Sequence, residues 1–239
     1  MVAALEAGAE FEALFVDASV ADRSDVHEII VRADARGVRA FGLDPGVFAK
    51  VSDASTPQPI SATVRFAAPA LSELATGGLT LVLHDLRDPG NVGTIIRSAD
   101  AAGVDAVVLT GQSVDPYNPK TLRATAGSIF HLPVVVAELE GTLAHFVSVG
   151  AHTWATVVRG GTELLDCDLS GPSVVVIGNE ADGLDEAAIG HCQSTMSIAM
   201  AGGNESLNAG VAASLVAFAG YWQRDGRVTP PIPRSLGAP

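Results

Sequence analysis

Apolar positions along the chain fall into two regimes. Up to about residue 66 the runs are short. Glu12-Ala13-Leu14-Phe15-Val16 reads as a buried strand. Val26, Ile29, Ile30 and Ala33 recur at helical spacing behind Ser24, a candidate cap, and Gly37 ends that helix before a second strand opening at Val38-Arg39-Ala40-Phe41. A short helix is expected from Asp44-Pro45, and residues 60–66 alternate as a third strand. Two βα units closed by a strand predict a small α/β sandwich over residues 1–67. Residues 68–78, with Pro69 and Gly77-Gly78, read as a linker.

From residue 79 the repeats lengthen. Residues 79–83, 106–109, 132–136, 153–157 and 174–177 are continuous apolar or β-rich runs, with helices predicted over 91–102, ended by Gly103, and over 119–126. A strand-like run at 195–200 feeds Gly202-Gly203 and the polar cluster Asn204-Glu205-Ser206-Leu207-Asn208, and a small-residue helix follows over 209–222. Apolar strands alternating with helices predict an α/β fold with a parallel sheet covered on both faces. Ligands of such sheets sit beyond the carboxyl ends of the strands. Residues 229–239, with Pro230, Pro231 and Pro233, are expected to form a flexible tail.

Composition narrows the class. The 239 residues are 48% hydrophobic, enough for a sizeable core, yet no run approaches the roughly 20 apolar residues that span a bilayer. The start, Met1-Val2-Ala3-Ala4-Leu5-Glu6, lacks the basic flank of a signal peptide, and Cys167 and Cys192 give neither a disulfide framework nor a metal spacing. A reducing cytoplasm and no membrane partner are the expectations. None of the six histidines has ligand-like company, so no metal is expected. The net charge of −13 argues against a broad electropositive nucleic-acid surface.

Three strand ends carry candidate chemistry. After the first long strand comes His84-Asp85-Leu86-Arg87-Asp88-Pro89-Gly90-Asn91-Val92-Gly93, with Arg97 further along the helix. Here Asn91 can cap the helix, Gly93 permits close backbone approach, and Arg97 is either a surface arginine or a site residue. After residues 174–177 comes Gly178-Asn179-Glu180-Ala181-Asp182-Gly183, where Glu180 either faces a ligand or belongs to a solvated acidic turn. The third is the Gly202 to Asn208 stretch, whose short polar side chains either cap a helix or present backbone N–H groups and hydroxyls to a ligand.

Together these loops resemble the SpoU/TrmH family of AdoMet-dependent RNA ribose 2′-O-methyltransferases, in the SPOUT superfamily. The carriers are Asp88-Pro89-Gly90-Asn91-Val92-Gly93 with Arg97, then Gly178-Asn179-Glu180 with Gly183. Ser197-Ile198-Ala199-Met200 through Ser206-Leu207-Asn208 makes a third, and the linking stretch 123–130 a fourth. The resemblance implies a trefoil-knotted methyltransferase domain over residues 79–228 and S-adenosyl-L-methionine as cofactor. It places Gly178, Ile198, Met200 and Leu207 against that cofactor, with Thr110 and Gly111 as further neighbours. It assigns catalysis to Arg97, held by Asn91, with Glu180, Ser206 and Asn208 completing the site, and it makes Arg123 and Arg87 candidate RNA phosphate contacts. Ala199 stands where the family has proline.

The resemblance extends to residues 1–67, which look like the L30e-type RNA-binding domain preceding the knot in many members. The usual opening segment is missing, so the chain is either shortened or begins upstream of Met1. The implied partners are RNA, rRNA ahead of tRNA, and a second copy of the chain in a homodimer packed partly through the final helix near Tyr221 and Trp222. A non-catalytic RNA-binding or ribosome-assembly factor is the alternative, and intact Asn91, Arg97, Glu180, Ser206 and Asn208 argue against it. Residues 1–70 hold six Lys+Arg against ten Asp+Glu, and the remainder eight against seventeen. RNA affinity must therefore come from a few placed arginines and be salt-sensitive.

Overall fold

A computed structural model describes residues 1–51, 58–202 and 206–228. Gly203, Asn204, Glu205 and the expected tail lie outside these. The chain divides into two compact units, one of Met1–Ala67 and one from Ala68 onward.

In the first unit, α1 (Val2–Glu6) precedes β1 (Glu10–Asp17), α2 (Ser24–Asp34), β2 (Ala40–Leu43), α3 (Pro45–Val51) and β3 (Ile60–Arg65). The sheet order is β2-β1-β3, with β2 parallel and β3 antiparallel to β1. Leu14 and Val16 of β1 meet Val26 and Ala33 of α2 in one small core, with Ile29, Ile30, Ile60 and Ala62 at its edge. Ser24 does not cap α2. Arg23 occupies the cap position and makes no side-chain cap, so Ser24 is the first helical residue.

The second unit is built on seven parallel strands: β4 (Leu79–His84), β5 (Ala106–Thr110), β6 (Val134–Val136), β7 (His152–Thr156), β8 (Thr162–Glu163), β9 (Ser173–Ile177) and β10 (Ser194–Ser197). Their order is β6-β5-β4-β9-β7-β10-β8. The chain runs outward from β4 to β6, returns to lay down β7, and then inserts β9 between β4 and β7. β5 and β9 are buried at every position because helices cover both faces. α6 (Leu139–Ser148) and α7 (Glu186–Gly190) cover one face, while α4 (Pro89–Ala101) and α8 (Ala209–Arg224) pack together and lie against strands of the sheet. α5 (Pro119–Ala124) follows β5 and packs on α4. The close approach at Gly93 belongs to that packing: a Cβ there would lie 2.4 Å from the Ala124 Cβ and 2.7 Å from the Thr121 carbonyl oxygen.

Part of the expected linker is not free chain. Leu71 and Leu74 pack into the core that contains Val82, Val108, Val174 and Phe146. The Glu73 carboxylate accepts from Ala70 N at 2.7 Å and closes a short turn there.

Candidate active site

The loops at the carboxyl ends of β4 and β9 and the start of α8 meet at one side chain. Asp88 caps α4 by accepting from Asn91 N at 2.8 Å, so the cap lies three residues before the residue expected to provide it. With Pro89 in the first turn and Asp88 serving the orphan N–H, the Asn91 amide is released for tertiary work. Its Nδ2 donates to Glu180 Oε1 at 2.6 Å, and its Oδ1 accepts from Asn208 Nδ2 at 3.0 Å. The Asn208 Oδ1 in turn accepts from Gly210 N at 2.9 Å and Val211 N at 3.3 Å, capping α8. Asn208 thus caps a helix and holds the Asn91 amide at once.

The loop bearing Glu180 is a tight bridge. Gly183 N donates to the Asn179 carbonyl at 3.1 Å, and Asn179 Oδ1 accepts from Ala181 N and Asp182 N at 2.8 and 2.9 Å. Gly178 is required at its base, since a Cβ there would lie 2.4 Å from the Gly183 carbonyl carbon.

The loop leading into Asp88 is held equally firmly. Asp85 takes a positive φ of 57° and its Oδ1 accepts from Gln112 N, while Ser113 Oγ accepts from Leu86 N at 3.0 Å.

Beside the Asn91 hub lies a cleft lined by Thr156 to Val158, Ile177 to Gly183, Met196 to Ile198, Met200, Ser206, Leu207, Ala209 and Ala212. It sits at the carboxyl ends of β7, β9 and β10, three adjacent strands. Main-chain groups of the Gly178 loop and apolar walls from Ile198, Leu207 and Val157 suit a flat, largely apolar ligand with polar edges. Neither cysteine offers a nucleophile: burial pushes the Cys167 thiol up to about 12 and Cys192 up to about 11. Among the described residues no group of three His, Cys, Asp or Glu is arranged to hold a metal.

Comparison with known proteins fixes the lineage of this arrangement. Residues 78–218 match the SpoU rRNA methylase family. The chain belongs to that family. It is 34% identical over 200 residues to the 23S rRNA (guanosine(2553)-2′-O)-methyltransferase RlmP of Bacillus subtilis, covering 81% of this chain and 79% of that protein. It is 38% identical over 142 residues to a 23S rRNA (uridine(2479)-2′-O)-methyltransferase of Streptomyces viridochromogenes, covering 57% of this chain and 50% of that protein. Among solved structures, the SpoU methyltransferase AviRb of Streptomyces viridochromogenes, in complex with AdoMet, superposes with a TM-score of 0.83 at 29% identity over 94% of this chain and 87% of that one.

Within this SpoU site the expected residues separate into groups. Gly178, Glu180, Ile198, Met200, Ser206 and Leu207 line the cleft, and Asn91 and Asn208 join it through Glu180. Thr110 and Gly111 do not. They end β5, which lies beyond β4 from β9. Thr110 Oγ1 is engaged by His84 Nδ1 at 2.9 Å, and Gly111 takes a positive φ of 63° with the Asp85 carboxylate filling the space where a Cβ would go. Nor does Asn91 hold Arg97. Six residues at 100° each turn Arg97 through 240°, well away from the Asn91 face, and it stands exposed with no ion pair among the described residues. Arg87 and Arg123 are exposed as well. The sequence reading missed Thr156, Val157 and Val158 as a wall of the cleft; their place at the end of a β-rich run is the signal that marks them.

Proposed function

We propose that the chain methylates a ribose 2′-OH of ribosomal RNA, of the 23S type, with S-adenosyl-L-methionine as donor. The observation that carries this is the Asn91 amide tying Glu180 to Asn208 at the rim of the apolar cleft, in a chain of the SpoU family. The cofactor supplies a sulfonium-bound methyl group. Ile198, Met200 and Leu207 would wall its apolar parts, and the main chain at Gly178 would meet its polar edges.

The remaining work is positioning and charge. The chain's own part would be to hold the acceptor 2′-OH in line with the methyl group that the cofactor supplies. The Glu180 carboxylate, fixed by Asn91, puts negative charge at the rim of a cleft suited to a cationic donor. Ser206 and Asn208 sit where the acceptor ribose would enter. Arg97 serves as orienter and oxyanion stabiliser, with Arg87 and Arg123 as phosphate contacts.

A homodimer completes the assignment. Val211, Leu215, Phe218 and Trp222 form a stripe along α8, with three of them more than 40% exposed, and the groove over them begins at Asn91 and Asn208. Burying that stripe against a second copy would bring the partner's helices to the mouth of the cleft, where an outward-facing arginine on α4 can act in trans. The trefoil knot is supported by the insertion of β9 between strands laid down earlier, and an L30e-like role for Met1–Ala67 by its small mixed α/β architecture. A cytoplasmic location goes with a ribosomal substrate.

Mapping of 2′-O-methylation on 23S rRNA with and without the gene tests the reading; a site that disappears on deletion is expected, and an unchanged map overturns it. Arg97→Ala should abolish methyl transfer while calorimetry finds AdoMet affinity within a few-fold. Loss of cofactor binding would instead make Arg97 structural.

A further inference from the structure

The small unit carries a constellation that methyl transfer leaves unused. One face of its sheet is filled by α2 through Leu14 and Val16. On the alternate positions Phe15 and Phe41 pair in register across β1 and β2, with ring centroids 5.9 Å apart and planes inclined by 25°. Phe41 is 42% exposed, on an edge strand where Ala40 and Gly42 are exposed too. Above it the Arg39 guanidinium carbon stands 5.9 Å from the ring centroid. The Arg39 carbonyl accepts from Leu14 N at 2.9 Å, which fixes the backbone that presents this cation.

The charges nearby are unevenly spent. Arg23 pairs with Asp25, Arg32 with Glu6 and Glu28, and Arg65 with Glu10 and Glu12. Arg39 has no carboxylate partner among the described residues, and Arg36, exposed three residues earlier, makes its hydrogen bond to the Arg32 carbonyl. In a chain of net charge −13, un-neutralised cations therefore gather at the entry to β2, beside a ring left in water. A cross-strand aromatic pair would suffice to stiffen the sheet. It gives no reason for the exposed ring to carry an unpaired guanidinium. An exposed ring face accepts any nucleobase, and a guanidinium accepts the phosphate beside it.

We propose that Phe41, with Arg39 and Arg36, is a stacking platform for an unpaired nucleotide of the RNA substrate. The base lies on the Phe41 ring, and Arg39 moves from the ring to the flanking phosphate with Arg36 beside it. This rests on the reading that the substrate is RNA and adds a second, sequence-tolerant contact on the small unit.

Two measurements on the full chain test it. Phe41→Trp places a reporter on the platform: titration with a short unstructured oligoadenylate at low salt should quench its emission relative to the wild type, which has only Trp154 and Trp222. Phe41→Leu keeps an apolar side chain but loses the ring. It should raise KM for an rRNA fragment roughly ten- to hundred-fold, with kcat, AdoMet affinity and melting temperature unchanged; Arg39→Gln should raise it less. Unquenched emission from the Phe41→Trp protein, or an unchanged KM for Phe41→Leu, overturns the platform. Should the wild type methylate no RNA, the proposed activity falls, and the quenching alone still decides the platform.

Discussion

The two units solve the same α/β problem with different tolerances. In the larger one β5 and β9 are buried at every residue, because helices close both faces of the sheet. In the smaller one β2 is exposed at three of its four positions, and most arginines are spent on surface carboxylates. A strand constrained from both sides leaves no slack at its carboxyl end, which is where the cleft loops begin. A strand constrained from one side leaves side chains such as Phe41 free to meet a partner. Rigidity at the cleft and openness on the small sheet are thus consequences of burial, and matched substitutions separate them.

The largest contrast is between two glycines. Gly178→Ala drives a Cβ to 2.4 Å from the Gly183 carbonyl carbon and 2.6 Å from Leu184 N, both backbone atoms that cannot give way cheaply. We expect a loss of about 1–3 kcal/mol in stability and roughly a hundred-fold in AdoMet binding, read by denaturation and calorimetry. Gly42→Ala on β2 meets only the Ala18 Cβ, at 3.7 Å. It should leave stability unchanged or raise it by about 0.5 kcal/mol. Equal costs at the two positions would remove the distinction.

Next comes Asn208, where capping and the hydrogen bond to Asn91 share one side chain. Asn208→Asp keeps an oxygen for Gly210 N and Val211 N but deletes the donor to Asn91 Oδ1. Stability should stay within about 0.5 kcal/mol, since Asp and Asn cap equally well. Methyl transfer should fall by at least about ten-fold, as Asn91 loses one of the two contacts that hold it against Glu180. Asn208→Ala loses both functions and should cost about 1 kcal/mol besides. Full activity in Asn208→Asp would return this residue to a capping role only.

These expectations show what the sequence can carry. The strand pattern and the three loops are legible because apolar runs and turn residues are local signals, and four segments in order identify the family. Helices α6 and α7 escaped because the first contains Gly141, Thr142 and Val147, poor helix formers, and the second is only five residues long. The pairing within the site was harder still. Asp88 and Asn91 are both competent caps, and only the hydrogen bonds show that Asp88 serves the helix while Asn91 reaches Glu180, 89 residues away. Thr110 and Gly111 fall outside the cleft for the same reason: chain order puts them at a strand end like the others, but sheet order moves them to the far side of β4.

A smaller effect contrasts two arginines. Among the described residues both terminal nitrogens of Arg224 are buried without a hydrogen-bond partner, and burial lowers its pKa against the pull of Asp105. Arg224→Met removes a buried charge that makes no hydrogen bond and keeps the stem, and should be neutral or stabilising by up to about 1 kcal/mol. Arg65→Met breaks well-formed pairs with Glu10 and Glu12, yet these are solvent-exposed. It should change stability by less than about 0.5 kcal/mol. A large loss at Arg224 would mean that its guanidinium finds a partner in solution.

The smallest effect is a difference in acid response between the units. In the larger unit burial lowers the pKa of His152, whose Nε2 lies 2.9 Å from Ser194 Oγ. Above its unfolded value of about 6.5 both states are neutral and the group is silent. Below it the unfolded chain takes up the proton first, so stability falls as pH drops toward the folded value. In the smaller unit the Arg23 hydrogen bond lowers the pKa of Asp25, so any stability from that pair is present above about 3.9 and lost only as pH falls further. Between about pH 6.5 and pH 4.5, then, acid should weaken the larger unit through His152 and leave the Asp25 pair untouched. His152→Gln should flatten that slope in denaturant titrations followed by Trp154, which packs 4.7 Å from the imidazole. A slope that survives the substitution would assign the acid sensitivity to another group.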